Sequence, residues 1–267
     1  GLEGKHKFLT LGRSKEKSVS DGVYQHVSIF DAELITKIDS FKADYFIVSY
    51  YGNPLSTDLS EYVELNNTIS SIYLKFSSKP KIIFLSSQLV CGKGDNFFNC
   101  EEDIPKPAVF YAQRCLEFEN EIIELSDGNY LNLRVPIVYG GSRQDHTGYK
   151  NLVSVFIGLA MSGNKLKVFG EGRQTRSFIH IEDLIALLDM IFSEGSDHKI
   201  LNACYGDHYS IKELAILVSS KFDVECETDL KWPEGMVDDF YNIRLDSSKA
   251  LKLLNAKWNL KLYIDSI

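Results

Sequence analysis

Short apolar runs alternate along this chain with longer segments of helical period, and that alternation predicts strands exchanging with helices. Strands are expected at Phe8 to Leu11, Val27 to Phe30, Tyr45 to Ser49, Lys81 to Leu85 and Tyr130 to Val135. Between them the pattern predicts helices from Asp31, read as an N-cap, to Phe41, from Leu59 to Phe76, and from Val109 to about Leu125. Strand, helix, strand in this order implies a parallel sheet with right-handed crossovers. Further on, the sequence predicts a polar loop at Gln144 to Gly148, a helix from Asn151 to about Met161, a strand from Leu166 and another from Lys199 to Ala203. A capping box at Ser210 and Glu213 starts a helix running to about Ser220.

Composition narrows the class without choosing a function. With 267 residues, 44% of them hydrophobic, the chain can bury one large domain or two intimate ones. A net charge of -8 argues against a nucleic-acid partner. Cys91, Cys100, Cys115, Cys204 and Cys226 are scattered and lack metal-ligand spacing, which predicts reduced thiols, a cytoplasmic protein and no bound metal. The longest apolar stretches, such as Leu184 to Phe192 with Asp189 inside it, are too short to span a bilayer, so no membrane contact is expected.

The chemistry concentrates between Lys81 and Cys115. The strand ends in Ser86-Ser87, and the following helix carries Tyr111, Arg114 and Cys115 at i, i+3 and i+4 on one face. The opposite stripe, Leu116, Ile122, Ile123 and Leu125, is expected to pack. A hydroxyl on a strand end and a phenol on a helix are rigidly held, as proton transfer requires. The plainer reading makes Tyr111 a half-buried helix tyrosine and Ser87 a strand-terminal hydroxyl.

Ser-Ser-x-x-Val-x-Gly (Ser86, Ser87, Val90, Gly92), followed by Tyr111 on a helix, resembles the extended short-chain dehydrogenase/reductases, in their nucleotide-sugar epimerase, dehydratase and ketoreductase branch. Pro136-Ile137-Val138-Tyr139-Gly140, the run from Leu166 through Gly170-Glu171-Gly172, Gln174-Thr175-Arg176 and His180 to Leu184, and Asn242 to Trp258 resemble later family segments in order. The resemblance implies a Rossmann-like doubly wound parallel sheet with a small α/β substrate domain. Residues 1–145, with 174–195 returning, would form the cofactor domain; 146–173 and 196–267 would form the substrate domain. The first β-α unit with its glycine-rich loop is apparently absent, and Gly1-x-x-Gly4 reads as the tail of that unit's helix.

By the same resemblance Ser87 and Tyr111 are catalytic, with Cys115 where the family has lysine. A free tyrosine, with a pKa of about 10, is a poor base near neutrality without a neighbouring cation. Cys115 supplies no such charge; Arg114 is the possible substitute. Asp31 would lie by the adenine, Ser49 by the ribose and phosphates, Asn66 near the active site, and Pro136 and Val138 by the nicotinamide. Arg13 would accept a ribose 2'-phosphate and favour NADP over NAD, or is a solvated loop arginine beside Lys15 and Lys17. Arg176 and Arg244 would hold a diphosphate; Arg176 could instead pair with Glu182 or Asp183. His180 is read as a sheet residue without a ligand role, and Asp246 as the cap of the last helix.

Dehydratases of the branch carry an acid pair after the Ser/Thr. Gln88 and Leu89 stand there, which leaves an NAD(P)-dependent nucleotide-sugar epimerase or 4-ketoreductase. The alternative is a catalytically impaired member that binds a nucleotide or nucleotide sugar without turnover. The helices at Leu59 to Phe76 and Val109 to Leu125 imply a homodimer, since the family pairs them across a two-fold axis.

Overall fold

The structure, a computed structural model, describes residues 6–12, 24–28, 34–49, 57–92, 97–140, 151–231 and 242–267. The chain forms two compact units, residues 1–85 with 117–132, and residues 86–116 with 133–267. Arg13 and Asp31 lie outside the described residues, as do Gly1 to Lys5, on which the reading of a missing first unit rests.

In the first unit β1 (Phe8–Gly12) pairs in parallel with β2 (Tyr24–Ser28), and β3 (Tyr45–Val48) in parallel with β4 (Lys81–Ser87). Among the described residues, the second strand begins three residues earlier than its hydrophobic run suggested. Helix α1 (Leu34–Phe41) buries Leu34 and Ile38, one turn apart on one face. Asp58 caps α2 (Leu59–Tyr73) by accepting from Ser60 N at 2.9 Å.

Helix α2 stops short of the expected Phe76. The chain turns after Leu74 so that Phe76 is buried, its ring 5.4 Å from Phe46, while the Tyr73 hydroxyl donates to Pro80 O at 3.1 Å. An aromatic side chain that finds a core position can outweigh another half-turn of helix, because its burial stabilises by about 1.5–3 kcal/mol. Helix α3 (Phe110–Leu125) matches its expected span to one residue. Within the first unit, both carboxylate oxygens of its Glu121 accept from α2: Asn66 Nδ2 at 2.8 Å and Ser70 Oγ at 3.0 Å.

In the second unit the distal end of β5 (Tyr130–Val135) meets the segment of β9 (Ile200–Asn202), with Ala203 N donating to Arg134 O at 3.0 Å. Strand β8 (Thr175–His180) lies between β6 (Ile137–Tyr139), parallel to it, and β10 (His208–Ser210), antiparallel to it. A second parallel pair joins β7 (Leu166–Phe169) to β11 (Cys226–Leu230). Parallel strand pairs among helices bear out the α/β class.

The apolar core of this unit gathers Phe156, Val168, Phe178, Leu214 and Leu260 from α4 (Leu152–Met161), β7, β8, α6 (Ile211–Phe222) and α8 (Leu260–Ser266). Asn151 caps α4, and the capping box of Ser210 and Glu213 is present in both directions on α6. His180 ends β8 and caps α5 (Ile181–Glu194), its Nδ1 accepting from Glu182 N at 3.2 Å. Asp246 accepts from Ser248 N at 2.9 Å one residue ahead of Ser247, the N-cap of α7 (Ser248–Leu253), and α7 is followed by α8, so Asp246 does not cap the last helix as expected.

Buried carboxylates anchor the C-terminal segment. Asp183 accepts from Lys257 N and Trp258 N at 2.8 and 3.0 Å. Asp207 accepts from Leu260 N at 2.7 Å and from the Tyr139 hydroxyl at 3.1 Å. Burial pushes the Asp207 carboxyl up to about 6 despite both hydrogen bonds, with the Asp183 charge adding to the rise.

Candidate active site

Strand β4 runs through fully buried Ile82, Ile83 and Phe84, then delivers a buried Ser86 and a half-buried Ser87. The Ser87 oxygen accepts from Leu89 N at 3.2 Å and starts a 3-10 turn over Gln88–Cys91. That bond fixes the hydroxyl oxygen while leaving its proton available to donate. Gly92 closes the turn at φ +59°; a Cβ there would sit 1.6 Å from Lys106 O, so a side chain has no room. Gln88 is engaged structurally, its amide donating to Ser177 O and accepting from Ser177 N at 3.3 and 3.0 Å.

On α3, Tyr111 and Arg114 are half-buried, and the Arg114 guanidinium lies 5.1 Å from the Phe110 ring centroid. The packed stripe differs from the expected one. Ala112, Cys115, Phe118 and Ile122 are each 0% exposed, whereas Ile123 is 43% exposed. Spacing of three and four residues carries this stripe through Cys115, so the thiol belongs to the core side of the helix.

Arg176 and Arg244 converge on Thr175. Arg176 Nη1 donates to Thr175 O at 2.9 Å, and Arg244 Nη2 to Thr175 Oγ1 at 3.1 Å. Backbone contacts hold Arg244 in place: its N–H donates to Asn99 Oδ1 at 3.0 Å and its carbonyl accepts from Asn99 N at 2.7 Å. The Phe97 ring covers the guanidinium at 4.4 Å, a cation–π contact. Glu182 is engaged by Lys257 Nζ and Trp258 Nε1, and Asp183 by the backbone described above.

Two guanidinium groups donating to one residue concentrate positive charge in an acidic protein, and their planar forks suit phosphate oxygens. The sequence marks both arginines. It gives no sign of Thr175 as their shared acceptor or of Phe97 as a cover, because those contacts join residues far apart in the chain.

The remaining expected residues are dispersed. Pro136 is buried; Val138 is half-buried, its carbonyl accepting from Asn151 Nδ2 at 2.8 Å. In the first unit Ser49 is exposed just beyond β3, and Asn66 is the α2 residue bonded to Glu121. Among the described residues no cluster of His, Cys, Asp and Glu could hold a metal ion, and no helix is long and apolar enough to cross a membrane.

Residues 10–204 match the sequence model of the NAD dependent epimerase/dehydratase family. The chain belongs to that family. Among its relatives, UDP-N-acetyl-alpha-D-glucosaminuronate decarboxylase of Bacillus cytotoxicus is 28% identical over 74% of this chain and 67% of its own length. ADP-L-glycero-D-manno-heptose-6-epimerase of Brachyspira hyodysenteriae is 28% identical over 60% of this chain and 53% of its own length. The matched segment thus spans between about half and two thirds of those relatives.

Among solved structures, UDP-glucose 4-epimerase of Thermotoga maritima with UDP-glucose superposes with a TM-score of 0.80 at 21% identity, covering 99% of this chain and 90% of that one. The Bordetella bronchiseptica enzyme WbmG in complex with NAD and UDP gives 0.77 at 20% identity, covering 97% and 84%. These likenesses show the Rossmann-like fold.

Proposed function

We propose that the chain is a nucleotide-sugar epimerase or 4-ketoreductase using NAD or NADP, with the convergence of Arg176 and Arg244 on Thr175 as the observation that carries the reading. The two forks take the diphosphate of the substrate. Tyr111 exchanges a proton with a sugar oxygen, and the Ser87 hydroxyl, its oxygen tethered to Leu89 N, donates to the same oxygen. Relatives named for UDP-sugars and ADP-heptose support the substrate class, and the structure of WbmG with NAD and UDP supports the ligand pair.

The donor set of a hydroxyl and a phenol fits a nicotinamide cofactor, which when bound supplies the hydride acceptor and donor. Cys115 departs from that fit, since a thiol on the packed side of α3 offers no cation. Arg114 is the group we assign to that electrostatic role, and Arg13 the one that would favour NADP. Ser49, Asn66, Pro136 and Val138 complete the assigned cofactor contacts, in a partition of cofactor domain 1–145 with 174–195 and substrate domain 146–173 with 196–267.

The buried Cys115 favours one second reading, a member that binds the nucleotide sugar without turnover. Mass spectrometry of protein from the complete coding sequence, with NMR of a nucleotide sugar incubated with it, separates the two. The catalytic reading expects bound NAD(H) or NADP(H) and a change at the sugar C4; a protein free of dinucleotide and inert toward nucleotide sugars contradicts it. We also propose a cytoplasmic homodimer paired through α2 and α3, for which light scattering should give twice the chain mass.

A further inference from the structure

Gln88 joins the turn that carries Ser87 to the strand that carries Arg176. The residue is 3% exposed, and its amide pairs with both backbone groups of Ser177, donating to Ser177 O at 3.3 Å and accepting from Ser177 N at 3.0 Å. A backbone N–H can only donate and a carbonyl only accept, so the amide has one orientation. Phe178 N donates to Asp207 O at 2.9 Å, which turns Ser177 N–H to the other edge of β8, beyond the first residue of β6, Ile137, paired with Phe178. Gln88 does there with a side chain what a longer strand would do with its backbone.

Both ends of this link bear on the proposed chemistry. At one end Ser87 Oγ accepts from Leu89 N at 3.2 Å, so the turn folds back across Gln88 and the hydroxyl follows that residue. At the other, Ser177 Oγ accepts from Leu245 N at 2.9 Å, one residue beyond Arg244, and Arg244 Nη2 donates to Thr175 Oγ1 at 3.1 Å, two residues before Ser177. Hydrogen bonds and short backbone segments thus run unbroken from the serine hydroxyl to the guanidinium. The middle of that run is neutral: a carboxylate at 88 would accept from Ser177 N but set a charge against Ser177 O, whereas an amide satisfies both.

We propose that Gln88 is a positioning residue that sets the spacing between the Ser87 hydroxyl and the Arg244 guanidinium, so that a sugar held by its diphosphate meets Ser87. The inference rests on the reading of Ser87 as donor to the sugar oxygen and of Arg244 as a diphosphate ligand. Spacing matters because a displacement of about 1 Å at a reacting group can cost about 100-fold in rate.

The test is calorimetric titration of UDP and of UDP-glucose into wild-type protein, Gln88→Met and Ser87→Ala. Methionine keeps the length of the side chain and loses both bonds. UDP engages only the arginine side, so its affinity should stay within about threefold in Gln88→Met. The ratio of UDP-glucose to UDP affinity should fall about fivefold or more, as it should in Ser87→Ala. UDP stoichiometry counts the folded molecules, and a loss of folding alone leaves the ratio unmoved. A ratio kept in Gln88→Met but lowered in Ser87→Ala overturns the role of Gln88 and leaves the Ser87 reading standing. A ratio kept in Ser87→Ala, whatever Gln88→Met does, overturns that reading and the proposal with it. UDP affinity that falls as far as UDP-glucose affinity in Gln88→Met makes the residue a support of β8 alone and overturns the spacing role. A wild type that binds no UDP overturns the Arg244 reading and the proposal together. Should Gln88→Met fail to fold, Gln88→Asn takes its place with the same expectations, because an arm one methylene shorter must either lose Ser177 or draw the Ser87 turn toward it.

Discussion

The Thr175 cluster and the half-buried Tyr111 edge of α3 carry the two halves of the proposed chemistry, and they are built differently. At Thr175, Arg244 is held from further directions by Asn99 and Phe97, and the strand that carries Arg176 is held by Gln88 through the Ser177 backbone. On α3 Cys115, to which the proposed reading would give a cation, lies in the core, while Tyr111 and Arg114, the latter 5.1 Å from the Phe110 ring centroid, are half-buried. On the proposed reading, the binding residues are present while proton transfer lacks the lysine cation that the family resemblance implies. Affinity and turnover should respond separately to mutation in the two regions.

The largest effect should come from Tyr111→Phe, which keeps the ring and removes the proton. Turnover should drop about 100-fold to 10,000-fold while nucleotide-sugar affinity holds. Steady-state kinetics beside calorimetry read both, and unchanged turnover would remove Tyr111 from the mechanism. Next, Arg244→Ala should weaken nucleotide-sugar binding about tenfold to 100-fold, with a smaller loss of turnover at saturating substrate. A fall in turnover alone would erase the division between the two regions.

A smaller effect is expected from Cys115→Lys. If the missing cation limits the reaction, the rate rises or the pH optimum moves down by about one unit; an unmoved profile means that Arg114 or another group already supplies the charge. The smallest effect lies outside both regions. Asp207 titrates higher folded, at about 6, than the unfolded value of 3.8, so its contribution to stability is full below 3.8 and is lost as pH rises through 6. Asp207→Asn should therefore flatten that part of the stability curve and stabilise the protein at pH 8 by about 2–3 kcal/mol in chemical denaturation.

Much of this was legible where the signal is local. The Ser210–Glu213 capping box, the span of α3, and the glycine at 92 each depend on neighbours close in sequence or on one backbone angle. What the sequence did not disclose depends on distant partners. The end of α2 turns on whether Phe76 finds Phe46, and the place of Asp246, ahead of α7 rather than of the last helix, depends on the chain continuing past Leu253 into α8. The packed stripe on α3 is not legible from the placement of Tyr111, because packing selects a face running through Ala112, Cys115, Phe118 and Ile122.

Paired calorimetry of UDP and UMP on the wild-type protein and on Arg244→Ala tests the central claim, that two guanidinium groups at Thr175 await a diphosphate. The wild type should bind UDP at least about tenfold more tightly than UMP, and the variant should lose most of that preference. Equal affinity for the two nucleotides, or a preference that survives the loss of Arg244, would contradict the account.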